Sequence, residues 1–305
     1  MSDSRAIDEK IRTESPYMKQ SRKSADWIES VVKEFVEASP ENSLKNPAND
    51  RAFDSPIVGF SSGDDQLYQD YKTHVGPFHW TPEEVFALAF PNLKVRAEEI
   101  SVISWVLPQT EITRKENRSQ DIYPSESWAR ARIFGEEFNV KIREHLVENL
   151  MREGHEAVAP VLLPNWKIEQ SERFTFASKW SERHAAYASG LGTFGLCDGL
   201  ITARGKAMRL GSVAARIKVP PTPRPYSDHQ EYCLFYSSGA CGKCIERCPA
   251  KAVSKNGHDK LKCFSHTKID GTNYVKTHYG FDGYGCGLCQ TGVPCESRIP
   301  VKGDA

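Results

Sequence analysis

The chain has no cysteine before Cys197. It has no apolar run of about 18 residues or more, the length a membrane-crossing helix needs. Neither charge sign is in excess, with 40 Lys and Arg against 40 Asp and Glu. Whole-chain charge therefore carries no footprint for nucleic acid, which is not expected as a partner, although a local basic patch would not show in the sum. The opening residues, Met1 to Asp8, contain neither the apolar centre of a secretory leader nor a twin-arginine pair, so a cytoplasmic protein is expected. There is no internal repeat and no low-complexity tract. What is present is concentrated at the C-terminal end.

Eight of the nine cysteines lie between Cys233 and Cys295, in two groups. The first holds Cys233, Cys241, Cys244 and Cys248, the last followed by Pro249; the second holds Cys263, Cys286, Cys289 and Cys295. Four-iron (4Fe–4S) cubanes take four soft thiolates each, and the Cys before Pro in a ferredoxin run usually serves the other cluster. That rule gives one cluster Cys233, Cys241, Cys244 and Cys295, and the other Cys248, Cys263, Cys286 and Cys289. The pattern departs from a ferredoxin at the front, where Ser238 stands at the usual first ligand and Cys233 must reach across a seven-residue loop. Structural zinc could use the same residues. Disulfides are the third reading, and the expected reducing compartment disfavours them. Cys197 stands alone in a glycine-rich stretch and reads as a small buried hydrophobe.

Elsewhere the patterns are those of an α/β fold. Trp27, Ile28, Val31, Val32, Phe35 and Val36 recur at helical spacing, and Pro40 ends that helix. Residues 1–25 read as a polar arm, and 40–75 as a long irregular connection. Thr81-Pro82 opens a short helix. Ile100 to Leu107 reads as a buried strand, 126–153 as the longest helix, and Ala157 to Leu163 as a second strand: a βαβ pattern. Gly190, Gly192 and Gly195 match a bare dinucleotide fingerprint but follow a helix rather than a strand, so a packing-driven bend competes with a ligand loop. Pro220, Pro221, Pro223 and Pro225 read as a linker. The organisation expected is an N-terminal helical and irregular region over 1–75, an α/β domain over 76–222, and a cysteine module over 223–305.

The segment Ser181-Glu182-Arg183-His184 through Gly192 and Gly195, then Thr202 and Arg209-Leu-Gly-Ser-Val213, followed by the two-cluster module, resembles the epoxyqueuosine reductases and cobalamin-dependent reductive dehalogenases. The resemblance runs from about Ile100 to Pro300. It implies a nitroreductase-like α/β domain, then a ferredoxin-like domain with two 4Fe–4S clusters, and a base-off cobalamin between them. It also implies that Gly190, Gly192, Gly195, Thr202, Gly205, Arg209, Gly211 and Ser212 line the corrin or its nucleotide tail. The proton-donating Asp of epoxyqueuosine reductases falls here on Phe176, with Glu172 and Glu182 the nearest acids. The twin-arginine signal of respiratory dehalogenases is missing. The reading is a cytosolic member with its own substrate.

The function expected is a reductase that passes single electrons through two clusters to a cobalamin centre. Glu182, His184 and Tyr187 are candidate proton donors and Arg183 an anion anchor; Trp80, Trp105, Trp128 and Trp180 could shape an aromatic pocket. Its partners would be a small-molecule substrate and an electron donor such as a ferredoxin, a flavodoxin or a reductase. The alternatives are a non-catalytic electron carrier docked to a partner oxidoreductase and a zinc-stapled binding module.

Overall fold

The computed structural model describes residues 16–304, with side chains from Ser24 onward. The arm expected over 1–25 lies outside the described residues up to position 15. The central element is a four-stranded sheet in the order β1-β2-β8-β3, built from β1 (Ile57–Ser62), β2 (Ser101–Pro108), β8 (Met208–Ala215) and β3 (Ala157–Val158). Every pairing is antiparallel. β2 and β3 thus run parallel to each other, but β8 lies between them and pairs with both. The expected strand–helix–strand unit is present in a split form, with α5 (Glu126–Arg152) as its crossover. The second strand is shorter than expected, because Pro160 opens a 3₁₀ turn over Pro160–Leu162.

Alternation along β2 builds two cores. Ile103, Trp105 and Leu107 point to one face and pack with Ile28, Val32 and Val36 of α1 (Pro16–Ala38) and Phe138, Ile142, Leu146 and Leu150 of α5. Val102 points to the other face, among Tyr68 and Tyr71 of α2 (Leu67–His74), Val85 and Phe86 of α3 (Pro82–Ala89) and Ala185 of α6 (Glu182–Ala188). β2 is buried along its whole length, and each such apolar side chain contributes about 1.5–3 kcal/mol on leaving water. Thr81 caps α3 as its sequence suggests: Thr81 Oγ1 accepts from Glu84 N at 3.3 Å and Thr81 N donates to Glu84 Oε2 at 2.8 Å.

Two expectations are corrected. The stretch 40–75 is not an irregular connection, since it supplies β1, α2 and the core residues Leu44, Ala52 and Phe53. The first 75 residues therefore share the sheet with the middle of the chain. The proline-rich segment is no free linker either. Thr222 N donates to Phe60 O and Phe60 N donates to Thr222 Oγ1, both at 2.9 Å, so the segment lies along β1.

Beyond it come α7 (Leu234–Ser238), α8 (Lys243–Glu246), the hairpin β9 (Val253–Ser254) and β10 (Gly257–His258), α9 (Lys260–Phe264) and α10 (Gly271–Tyr279). The intervening elements are α4 (Glu111–Arg118), the hairpins β4 (Ile168–Ser171) with β5 (Thr175–Ser178) and β6 (Gly192–Phe194) with β7 (Leu200–Thr202). Asn117 of α4 fastens the cysteine segment to the sheet domain by donating to Cys286 O at 3.3 Å and Thr291 Oγ1 at 3.0 Å. Among the described residues no helix is long and apolar enough to cross a membrane.

Candidate functional site

Short helices and tight turns gather the cysteines. Cys233 precedes α7, which ends at Gly239 in the left-handed conformation, and Cys244 lies within α8. Cys233, Cys241, Cys244 and Cys295 line one small cavity of about 20 Å³, together with Lys206 and Leu196. Cys286 lies within electrostatic reach of Cys263 and Cys248, and Cys289 within reach of Cys286. All nine cysteines are free thiols. Among the described residues no three His, Cys, Asp or Glu side chains converge closely enough to share one metal ion.

Cys197 is buried, as expected of a small hydrophobe, but it is not alone. It packs in one cluster with Cys244 and Cys289, one from each cysteine group, and Lys206 Nζ donates to its sulfur at 3.3 Å. These sulfur contacts, aided by the ammonium and opposed by burial, hold its thiol well below the usual range. Burial would lower the Lys206 pKa, but Cys197 and the thiols of Cys295, Cys244 and Cys289 outweigh it and keep the ammonium charged. A second cation lies at Cys263. His258 Nδ1 shares a hydrogen bond with Asp198 Oδ2 at 2.9 Å and also meets the Cys263 thiol. Burial would lower the His258 pKa; the bonds to Asp198 and Cys263 overcome this and push it up to about 10. Sequence reasoning missed Lys206, Asp198 and His258. Lys206 stands between Arg204 and Arg209, and nothing in the sequence separates it from those surface-type cations.

The four expected catalytic residues lie on α6 and have different fates. Glu182 is tied to Arg143 of α5 (Nη2 to Oε1, 3.0 Å) and accepts from Ser212 Oγ. Burial raises its pKa against the pull of Arg143. Arg183 is exposed and donates to Asp198 O at 2.6 Å. His184 shares a 2.8 Å bond between Nδ1 and Ser181 Oγ, and burial drives its pKa well below the ordinary value. Tyr187 stacks on Tyr226 at 5.2 Å and borders Phe194 at 5.7 Å; burial raises its pKa, so its hydroxyl stays protonated. His184 also borders Phe194, at 5.1 Å. Beside His184, at 5.7 Å between rings, is His79, which is 1% exposed with both ring nitrogens unpartnered. Burial lowers its pKa to about 4.

The residues expected to line a corrin are spent inside the protein. Gly211 faces Trp105 across the sheet, and a Cβ there would come within 2.4 Å of the indole. Gly205, at φ +73°, lets the backbone meet the C-terminal segment: a Cβ would lie 2.1 Å from Glu296 O, and Lys206 N and Ala207 N donate to Cys295 O and Glu296 O at 2.9 and 3.0 Å. A Cβ on Gly190 would meet Pro223 O at 2.7 Å, one on Gly192 would meet Ile201 O at 2.1 Å, and one on Gly195 would meet Ile201 Cδ1 at 3.3 Å. Thr202 Oγ1 donates to Gly205 O at 2.8 Å, Ser212 is bound to Glu182 and Trp180, and Arg209 pairs with Glu136 at 2.7 Å. In this structure the close neighbours of these groups are protein atoms of the same chain. The four tryptophans are core residues rather than pocket walls, Trp105 bound to Asn139 and Trp180 to Ser212, each at 2.9 Å. Phe176 lies on β5, where Lys260 Nζ donates to its carbonyl at 2.9 Å, and Glu172 is exposed in the hairpin turn.

No family model matches the chain. A curated epoxyqueuosine reductase of Bacillus cereus is 24% identical over 269 residues, covering 85% of this chain and 59% of that protein, so the chain spans less than two thirds of that relative's length. An epoxyqueuosine reductase solved with a tRNA-Tyr epoxyqueuosine-modified stem loop superposes with a TM-score of 0.50 at 16% identity, over 93% of this chain and 67% of that one. A reductive dehalogenase studied for B12-dependent dehalogenation also gives 0.50, at 17% identity over 81% of this chain and 30% of that one. With a tRNA-bound protein among its neighbours in fold, the expectation that nucleic acid is not a partner loses its support. In sequence the chain is similar to curated epoxyqueuosine reductases, and in fold to an epoxyqueuosine reductase and a reductive dehalogenase.

Proposed function

We propose that the chain is an iron–sulfur oxidoreductase in which two 4Fe–4S clusters collect single electrons from a protein donor and deliver them to a substrate centre beside α6. One cluster would be held by Cys233, Cys241, Cys244 and Cys295, the other by Cys248, Cys263, Cys286 and Cys289, in a ferredoxin-like module over 223–305. The observation that carries this reading is four thiols around one cavity with a buried ammonium on its wall. Thiols spread around a cavity suit a multi-iron core, whereas a single zinc needs four sulfurs at about 2.3 Å from one point. Such clusters supply low-potential one-electron transfer. Of the four α6 residues, His184 and Tyr187 keep side chains bordering Phe194, and Tyr187 holds a proton that it could give to a reduced substrate. Glu182 is committed to Arg143 and Ser212 and is left out of the chemistry. No step is assigned to cobalamin.

Anaerobic reconstitution tests the reading. The expected product is a brown protein with eight irons and eight acid-labile sulfides per chain, as two cubanes require; zinc without sulfide overturns it. Gel filtration with hydroxocobalamin decides the corrin separately: retention supports a cobalamin centre, and failure to retain it removes one. One observation supports the electron-carrier alternative: Leu261 and Phe264 stand exposed, at 59% and 48%, on either side of Cys263, where a redox partner could dock. A carrier reduces an added oxidoreductase but turns over no small molecule alone.

A further inference from the structure

The cysteine cavity has one charge on its wall that the ligand assignment leaves unexplained. Lys206 is 2% exposed. Its ammonium donates to Cys197 Sγ at 3.3 Å, and among the described residues no carboxylate pairs with it. An ammonium taken out of water without a counter-charge is strongly unfavourable. Lys206 lines the cavity of Cys233, Cys241, Cys244 and Cys295, and Cys197, which accepts from it, packs in one cluster with Cys244 and Cys295 of that set and Cys248 and Cys289 of the other. The Cys197 thiol also reaches the backbone carbonyl of Cys289, at 3.9 Å. The cation at Cys263, His258, differs in being matched by Asp198 at 2.9 Å.

Resting on the two-cluster reading above, we propose that Lys206, anchored on Cys197, is the counter-charge built between the two clusters and raises the reduction potential of both. A thiolate-bound cubane is anionic, and its negative charge grows by one when a single electron enters, with no bond made or broken. A fixed positive charge in a dry site favours the more negative state, and net charge close to a cluster is one of the determinants of its potential. Cys197 is a positioning residue and not a ninth ligand. It places the ammonium where thiols of both sets can share it.

The test is an EPR-monitored redox titration of the anaerobically reconstituted full chain, with iron and sulfide assayed alongside. Lys206→Met is expected to keep the wild-type iron and sulfide content and to shift both potentials downward. Lys206→Arg, which restores the charge, is expected to return them close to wild type. Cys197→Ala is expected to keep all the iron and to shift the potentials less than Lys206→Met. Unchanged potentials in fully loaded Lys206→Met overturn the proposal, as does loss of half the iron in Cys197→Ala, which would make Cys197 a ligand. Should Lys206→Met not fold, Lys206→Gln makes the same comparison: lowered potentials support the proposal and unchanged ones overturn it. A wild-type chain that takes up zinc and no sulfide removes the two-cluster reading itself, recognisable because no variant then gives a cluster signal.

Discussion

Arg143 and Lys206 are both 2% exposed, and their surroundings differ in kind. Arg143 meets Glu136 at 3.1 Å and Glu182 at 3.0 Å, and donates to Leu210 O as well. Its charge is answered by groups the chain carries itself, across α5, α6 and β8. The ammonium of Lys206 meets sulfur. Arg143 thus sits among carboxylates of the same chain, whereas the partner of the Lys206 ammonium is the sulfur of Cys197.

Stripping the iron from reconstituted protein with a chelator should break this comparison most visibly. Hydrogen-exchange protection is expected to be lost between Cys233 and Cys295 and retained in β2 and α5, because cluster binding and folding of the module are coupled. Equal loss across both regions would show that the sheet domain also depends on the clusters. Next in size is Arg143→Met, which leaves Glu182 buried without its cation. It is expected to cost about 3–5 kcal/mol in urea unfolding, and a shift under about 1 kcal/mol would show the pair to be dispensable.

The pH dependence of His79 sharpens the comparison from within the sheet domain. In the unfolded chain this imidazole titrates near 6.5, whereas burial lowers it to about 4 in the fold. On acidification the unfolded state takes up its proton first. The stabilisation is therefore complete above about pH 6.5 and is lost as pH falls to about 4, by about 3 kcal/mol. His184, depressed in the same direction, adds to the slope. His79→Phe should remove the His79 share, so the difference between the two unfolding profiles isolates it; parallel profiles would contradict the buried neutral state.

The legible parts of the molecule were those encoded over short distances. Helix α5 was readable because its apolar residues step by four, and α3 because Thr81 and Pro82 mark its start. The two cysteine groups were readable because thiolates must sit close together on tight turns. Strand β1 was missed, since Asn, Asp, Pro and Gly surround a run whose partner is β2, some 40 residues on. The glycine-rich segment shows where such reading stops. Glycine signals close approach, and the sequence does not say to what; here the close neighbours are Trp105, Pro223, Ile201 and Glu296 of the same chain.

By itself the sequence determined that two sets of thiols stand at the end of an α/β chain, because ligand spacing is local and survives any arrangement of the rest. The tertiary structure decided where the charges sit. Whether Lys206 is solvated, paired or aimed at sulfur depends on segments that meet only in the folded chain, and on the removal of the water that would otherwise have screened it.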